Sequence, residues 1–67
     1  MNIKTEFTEP ECDRFRRECN FSDEERAVFD LRVRARSLVE IQQTLNMSEA
    51  TVNRRIRNIK WKIHKVM

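Results

Sequence analysis

The sequence predicts an all-α fold, a single small domain of four helices with the last two joined by a tight turn. Three observations predict it. A Ser or Thr suited to capping a helix start recurs four times, at Thr8, Ser22, Ser37 and Ser48, and the first three are followed three residues on by Glu. Such a pair satisfies two of the backbone N–H groups that every helix start leaves open. Behind each cap, apolar residues recur at spacings of three and four, the period of a helix with one buried face. The composition agrees, with no Gly, one Pro, 39% hydrophobic and 37% charged residues. It is neither that of a hairpin-rich sheet nor that of a disordered tail.

The first helix is expected near 9–19, opened by Thr8-Glu9-Pro10-Glu11, with Pro in the first turn where its missing N–H costs nothing. Cys12, Phe15 and Cys19 form its apolar stripe, and Asp13, Arg14, Arg16 and Arg17 its wet side. Phe7 is placed to staple its entry, and Asn20 to stop it. The second helix is expected near 23–35, opened by Ser22-Asp23-Glu24-Glu25 behind Phe21, with Val28, Leu31 and Ala35 on one face and Phe29 and Val33 widening it.

The third helix, near 38–45, starts at Ser37-Leu38-Val39-Glu40 and turns Ile41 and Leu45 inward. Asn46-Met47 follows and Ser48 caps again. So short a helix, ending in Asn and restarting at once, is a tight turn with Asn in the left-handed position usually held by Gly. The fourth helix, near 49–64, carries Val52, Ile56, Ile59 and Ile63 in a stripe roughly 60° wide. The last two helices therefore read as a helix-turn-helix. Ile56→Ala at their seam is expected to cost roughly 2–4 kcal/mol.

Sixty-seven residues allow one domain, 1–67, in which 1–7 are expected to be flexible, 8–20 to form an extra N-terminal helix and 21–64 the core. The absence of Gly excludes phosphate-cradling and dinucleotide-binding loops. One His and two Cys offer no zinc constellation, so neither metal nor cofactor is expected. Cys12 and Cys19, seven apart on one helix and roughly 10 Å between Cα atoms, are beyond disulfide reach and read as buried reduced thiols. The longest apolar run, Ala27-Val28-Phe29, is too short for a membrane span or an export signal, which points to a cytoplasmic setting and no membrane partner. Glu25 and Glu40 stand at capping positions where a structural role suffices; His64 reads as an exposed helix-end residue, and no catalysis is expected.

The net charge of +3 is distributed unevenly: residues 1–31 carry −4, residues 32–47 carry +2 and residues 48–67 carry +5. A basic segment at the end of an otherwise acidic chain suggests a polyanionic partner, with double-stranded DNA first. Opposite the apolar stripe of the last helix lie Ala50, Arg54, Arg57 and Asn58, flanked by Glu49, Thr51 and Asn53. Arg forks onto guanine or phosphate, Asn pairs with adenine, the Ala50 and Thr51 methyls suit thymine methyls, and the helix start at Ser48 suits a phosphate. Arg55, Lys60, Lys62 and Lys65 lie around and beyond this face, toward backbone phosphates; if these together with Arg54 and Arg57 neutralise about four to six phosphates, log K should fall with log salt at a slope of about −4 to −5. Trp61 points away from the stripe, where it would cover the N-terminal helix, fill a dimer seam or meet a partner; Phe15 and Cys12 are the other candidates for a protein interface.

The stretch from Phe21 to Ile63, 43 of the 67 residues, resembles the C-terminal DNA-binding domain of LuxR-type regulators and region four of sigma factors. The resemblance is carried by Glu25-Arg26 with Val28 and Leu31, Ser37 with Glu40-Ile41, Leu45 and Met47 across the turn, and Ser48-Glu49, Thr51-Val52 and Ile56 after it. It implies that Thr51, Asn53, Arg54 and Arg57 occupy positions that contact bases or phosphates. Gln42 stands where the family has Ala or Gly, which implies a wider helix crossing or a side chain angled to solvent. The chain ends at Met67, where LuxR-type domains continue into a fourth helix used for dimerisation.

Together these readings lead to the expectation of a small transcriptional regulator, with double-stranded DNA as partner and RNA polymerase or a second copy of the chain as further candidates. The alternative is a sigma-mimicking module that binds polymerase or a regulator without touching DNA, favoured by the acidic block at 1–31. A basic membrane-surface helix fits less well, because the outer face of residues 49–65 is polar.

Overall fold

The computed structural model describes residues 7–67, and these form four helices, α1 (Glu9–Glu18), α2 (Asp23–Val33), α3 (Leu38–Leu45) and α4 (Glu49–Val66). The expected flexibility of residues 1–6 lies outside the described residues. Each helix starts at its expected cap. The Thr8, Ser22 and Ser37 hydroxyls accept the backbone N–H three residues on, and Glu11, Glu25 and Glu40 accept in return from the cap N–H. Ser48 caps α4 through its side chain alone.

The helix ends depart from expectation more than the starts. Among the described residues three take positive φ, Asn20, Ala35 and Asn46, and each turns a corner between helices. The expected helix to 35 stops at Val33, so Ala35 is an exposed corner residue and not part of the apolar face. Arg36 N–H donates to Leu31 O and Ala35 N–H to Arg32 O, a closure in which Ala35 turns left-handed and the helix cannot continue. At the next corner Met47 N–H donates to Gln42 O in the same manner, with Asn46 left-handed as expected. Gln42 is half-buried, neither wedged fully between the helices nor turned out to solvent. Helix α1 ends one residue earlier than expected, and α4 runs two residues further, to the partly buried Val66.

The central position of α4 is the main fact of the architecture, for it packs against α1, α2 and α3. Its Val52, Ile59 and Ile63 are fully buried with Val28 and Phe29 of α2 and Ile41 of α3. Ile56, expected in this stripe at the seam with α3, is only partly buried. The N-terminal helix closes the core: Phe15 and Cys12 are buried within it, and Phe7 stacks edge-on against Phe15 with ring centroids 4.8 Å apart. Cys12 and Phe15 are thus core residues, which removes them as surface for a partner protein. Cys12 and Cys19 are free buried thiols, and burial pushes both above the ordinary thiol range, so they stay protonated and unreactive near neutral pH.

Polar contacts fasten the helices at their edges. Arg16 of α1 reaches Asp30 of α2 at 2.7 Å, its guanidinium 5.3 Å from the centroid of the Phe29 ring, and Arg14 donates to Val66 O at the end of α4. The most enclosed of these contacts is Glu25, only 4% exposed, whose Oε1 accepts both from Ser22 N–H and from Lys62 Nζ, while Lys62 also reaches Asn20 O. One carboxylate therefore joins the cap of α2 to α4.

Burial pushes the Glu25 carboxyl up, but the Lys62 ammonium and the Ser22 hydrogen bonds outweigh it and hold the group below the usual carboxylate range. A pKa lowered on folding contributes stability above the unfolded value of about 4.3, and that contribution is lost as pH falls through the folded value. Glu25→Gln is therefore expected to be less stable than the parent at neutral pH and to show a flatter decline below about pH 4.3. Urea midpoints measured across this acid range test it, and curves falling in parallel for parent and variant would assign the decline to other groups.

Candidate nucleic-acid interface

The outer face of α4 is set by what its inner face buries. In a helix turning about 100° per residue, Arg54 and Trp61 fall within about 10° of the line opposite the Val52–Ile63 stripe; Ala50 and Lys65 lie about 30° from it, and Arg57 and Asn58 about 50° to either side. Exposure follows this geometry: Ala50, Asn53, Arg54, Arg57, Trp61, His64 and Lys65 are all exposed, and Thr51, Asn58 and Lys60 are half-buried at the flanks. Ala50, Asn53, Arg54, Arg57 and Asn58 thus share one side of a single unbroken helix, whereas Glu49, exposed in the first turn, lies only about 50° from the buried stripe.

At the start of α4 the Ser48 hydroxyl is already committed. It accepts from Thr51 N–H at 3.2 Å and donates to Thr51 Oγ1 at 2.9 Å. An anion at this end would meet the backbone N–H groups of Glu49 and Ala50 before it met the Ser48 side chain. Glu49 is the one acidic residue in 48–67 and sits in the first turn, where the helix dipole favours it.

Four cations expected beyond the base-facing residues divide into two sets. Arg55 pairs with Glu24 at the start of α2, Nη2 to Oε2 2.9 Å, and Lys62 is held by Glu25. Both lie on the flank of α4 that packs toward α2, so their charges are spent within the fold. Lys60 and Lys65, like Arg54 and Arg57, make no ion pair with any described residue. Lys65 instead sets its ammonium 5.6 Å from the centroid of the Trp61 ring. Sequence reasoning missed the two internal pairs; the signal was Glu24-Glu25 at one helix start and Arg55 and Lys62 seven apart on one flank of another.

Trp61 is 61% exposed, so it does not cover the N-terminal helix. A second exposed apolar site lies elsewhere, at Leu38 and Val39 in the first turn of α3. Among the described residues no helix is long and apolar enough to cross a membrane. No family model, curated protein or solved structure matches this chain.

Proposed function

We propose that the protein is a small transcriptional regulator that binds double-stranded DNA by inserting the start of α4 into the major groove. The observation that carries this reading is the outer face of α4, which presents Arg54 and Arg57, in no ion pair with any described residue, with Asn53 and Asn58 beside them, while the opposite face is fixed in the core. A helix so anchored offers its side chains to base edges at little cost in ordering. The two-helix unit of α3 and α4, joined through Asn46, Met47 and Ser48, has the connectivity of a helix-turn-helix and supports the likeness to LuxR-type and sigma region-four domains. The setting would be cytoplasmic, with RNA polymerase or a second copy of the chain adding specificity that one helix alone does not supply.

Because Arg55 and Lys62 are engaged within the fold, three or four cations remain for phosphates, and the slope of log K against log salt is expected to be about −3 to −4. Anisotropy of a labelled duplex titrated at several salt concentrations measures it. Binding independent of salt, or no binding at low salt, would instead favour a module that binds polymerase or a regulator directly. Leu38 and Val39 are the observation on that side, an exposed apolar pair on the helix before the turn.

A further inference from the structure

We infer that Trp61 is a DNA contact, meeting the sugar–phosphate strand at the rim of the major groove; the inference rests on the reading of α4 as a groove-inserted helix. Trp61 shares the outermost line of α4 with Arg54, seven residues earlier, a separation of about 10.5 Å along an unbroken helix. The major groove is about 12 Å wide. With Arg54 at base edges, the indole arrives where the helix leaves the groove, at deoxyribose and phosphate.

The surroundings of the ring select the partner. Arg57 lies one turn before it and Lys65 one turn after, Lys65 with its ammonium against the ring, and no carboxylate stands on this line of α4. Glu18 shares a groove with Lys65, but its carboxylate is taken by Arg14 at 2.6 Å. A second copy docked through Trp61 about a two-fold axis would bring these cations against their own mates. A polyanion with flat apolar sugar faces satisfies both the indole and the charges around it. The ring packs on deoxyribose, Nε1–H donates to a phosphate oxygen, and Lys65 follows to the next phosphate.

Trp61 is the sole tryptophan, so its emission reports on this contact directly. The experiment titrates the full chain with fluorescein-labelled duplex DNA, following label anisotropy for binding and acrylamide quenching of Trp61 for shielding, alongside Trp61→Ala with its fold checked by circular dichroism. The expected result is a bound Trp61 protected from acrylamide and an Ala variant weakened about threefold to tenfold on preferred and scrambled duplexes alike. If anisotropy rises while Trp61 stays open to acrylamide and the Ala variant binds as the parent does, the inference is overturned and the reading of α4 stands. If anisotropy does not rise, that reading falls and this inference with it. Should Trp61 be shielded without DNA in a sample that sediments as a dimer, the occupant of this face is a second copy and the inference is again overturned.

Discussion

Phe29→Ala is expected to remove roughly a third or more of the protein's stability and to lower its melting temperature steeply. The ring is fully buried at the junction of α1, α2 and α4: it lies 5.1 Å from Phe21, carries the Arg16 guanidinium on its face, and shares the core with Ile59 and Ile63. Removing a fully buried Phe costs roughly 3–5 kcal/mol, from lost transfer energy and the cavity left behind. A chain of this length has about 3–10 kcal/mol in total, so the loss takes roughly a third or more of it. Arg16 would also lose the surface beneath it while keeping its bond to Asp30, which keeps the cavity from closing cheaply. Ile56→Ala, at a partly buried position, is expected nearer the low end of its range, about 2 kcal/mol. Thermal unfolding followed by circular dichroism ranks the two, and a Phe29 variant that melts with the parent would show the core to be centred elsewhere.

Arg54→Ala is expected to lose roughly 1–3 kcal/mol on the preferred duplex and little on a scrambled one. The preferred site comes first from selection among random duplexes. Arg54 projects from the second turn of α4, close to the line opposite the core and paired with no described carboxylate, so its fork reaches base edges if the helix start enters the groove. The proper contrast is Lys65→Ala, since Lys62 is committed to Glu25 and its removal would disturb the fold as well as the charge. Lys65→Ala should weaken both duplexes equally and lower the salt slope by about one unit. Equal weakening of both duplexes by Arg54→Ala would mean that α4 lies along phosphates, and the assignment of Ser48 to Asn58 as base readers would be withdrawn.

Local chemistry was legible in the sequence, and contact between distant residues was not. The four helix starts follow from Thr8, Ser22, Ser37 and Ser48, because a cap and its return bond span only three residues. The outward placement of Arg54 and Trp61 follows equally, since helical angle needs only spacing. The end of α2 did not, because Ala35 is a good helix former with no mark of a stop; the left-handed closure through Arg36 N–H and Leu31 O ends the helix there. The Arg55–Glu24 and Lys62–Glu25 pairs join residues 31 and 37 positions apart, and only the packing of α4 on α2 brings them together. At the interface the effect is a smaller one: two of six basic side chains in the last segment serve the fold.

The three left-handed corners bear on the unfolded chain as well as the folded one. With Asn20, Ala35 and Asn46 at these turns and no Gly anywhere, the denatured ensemble samples fewer backbone states, so less entropy is surrendered on folding. Ala35 gives back about 1–2 kcal/mol through the clash of its Cβ in that conformation, whereas Asn tolerates it through local hydrogen bonding. The two Asn corners therefore place part of the protein's stability where no contact in the native state records it, whereas at Ala35 the strain outweighs the gain.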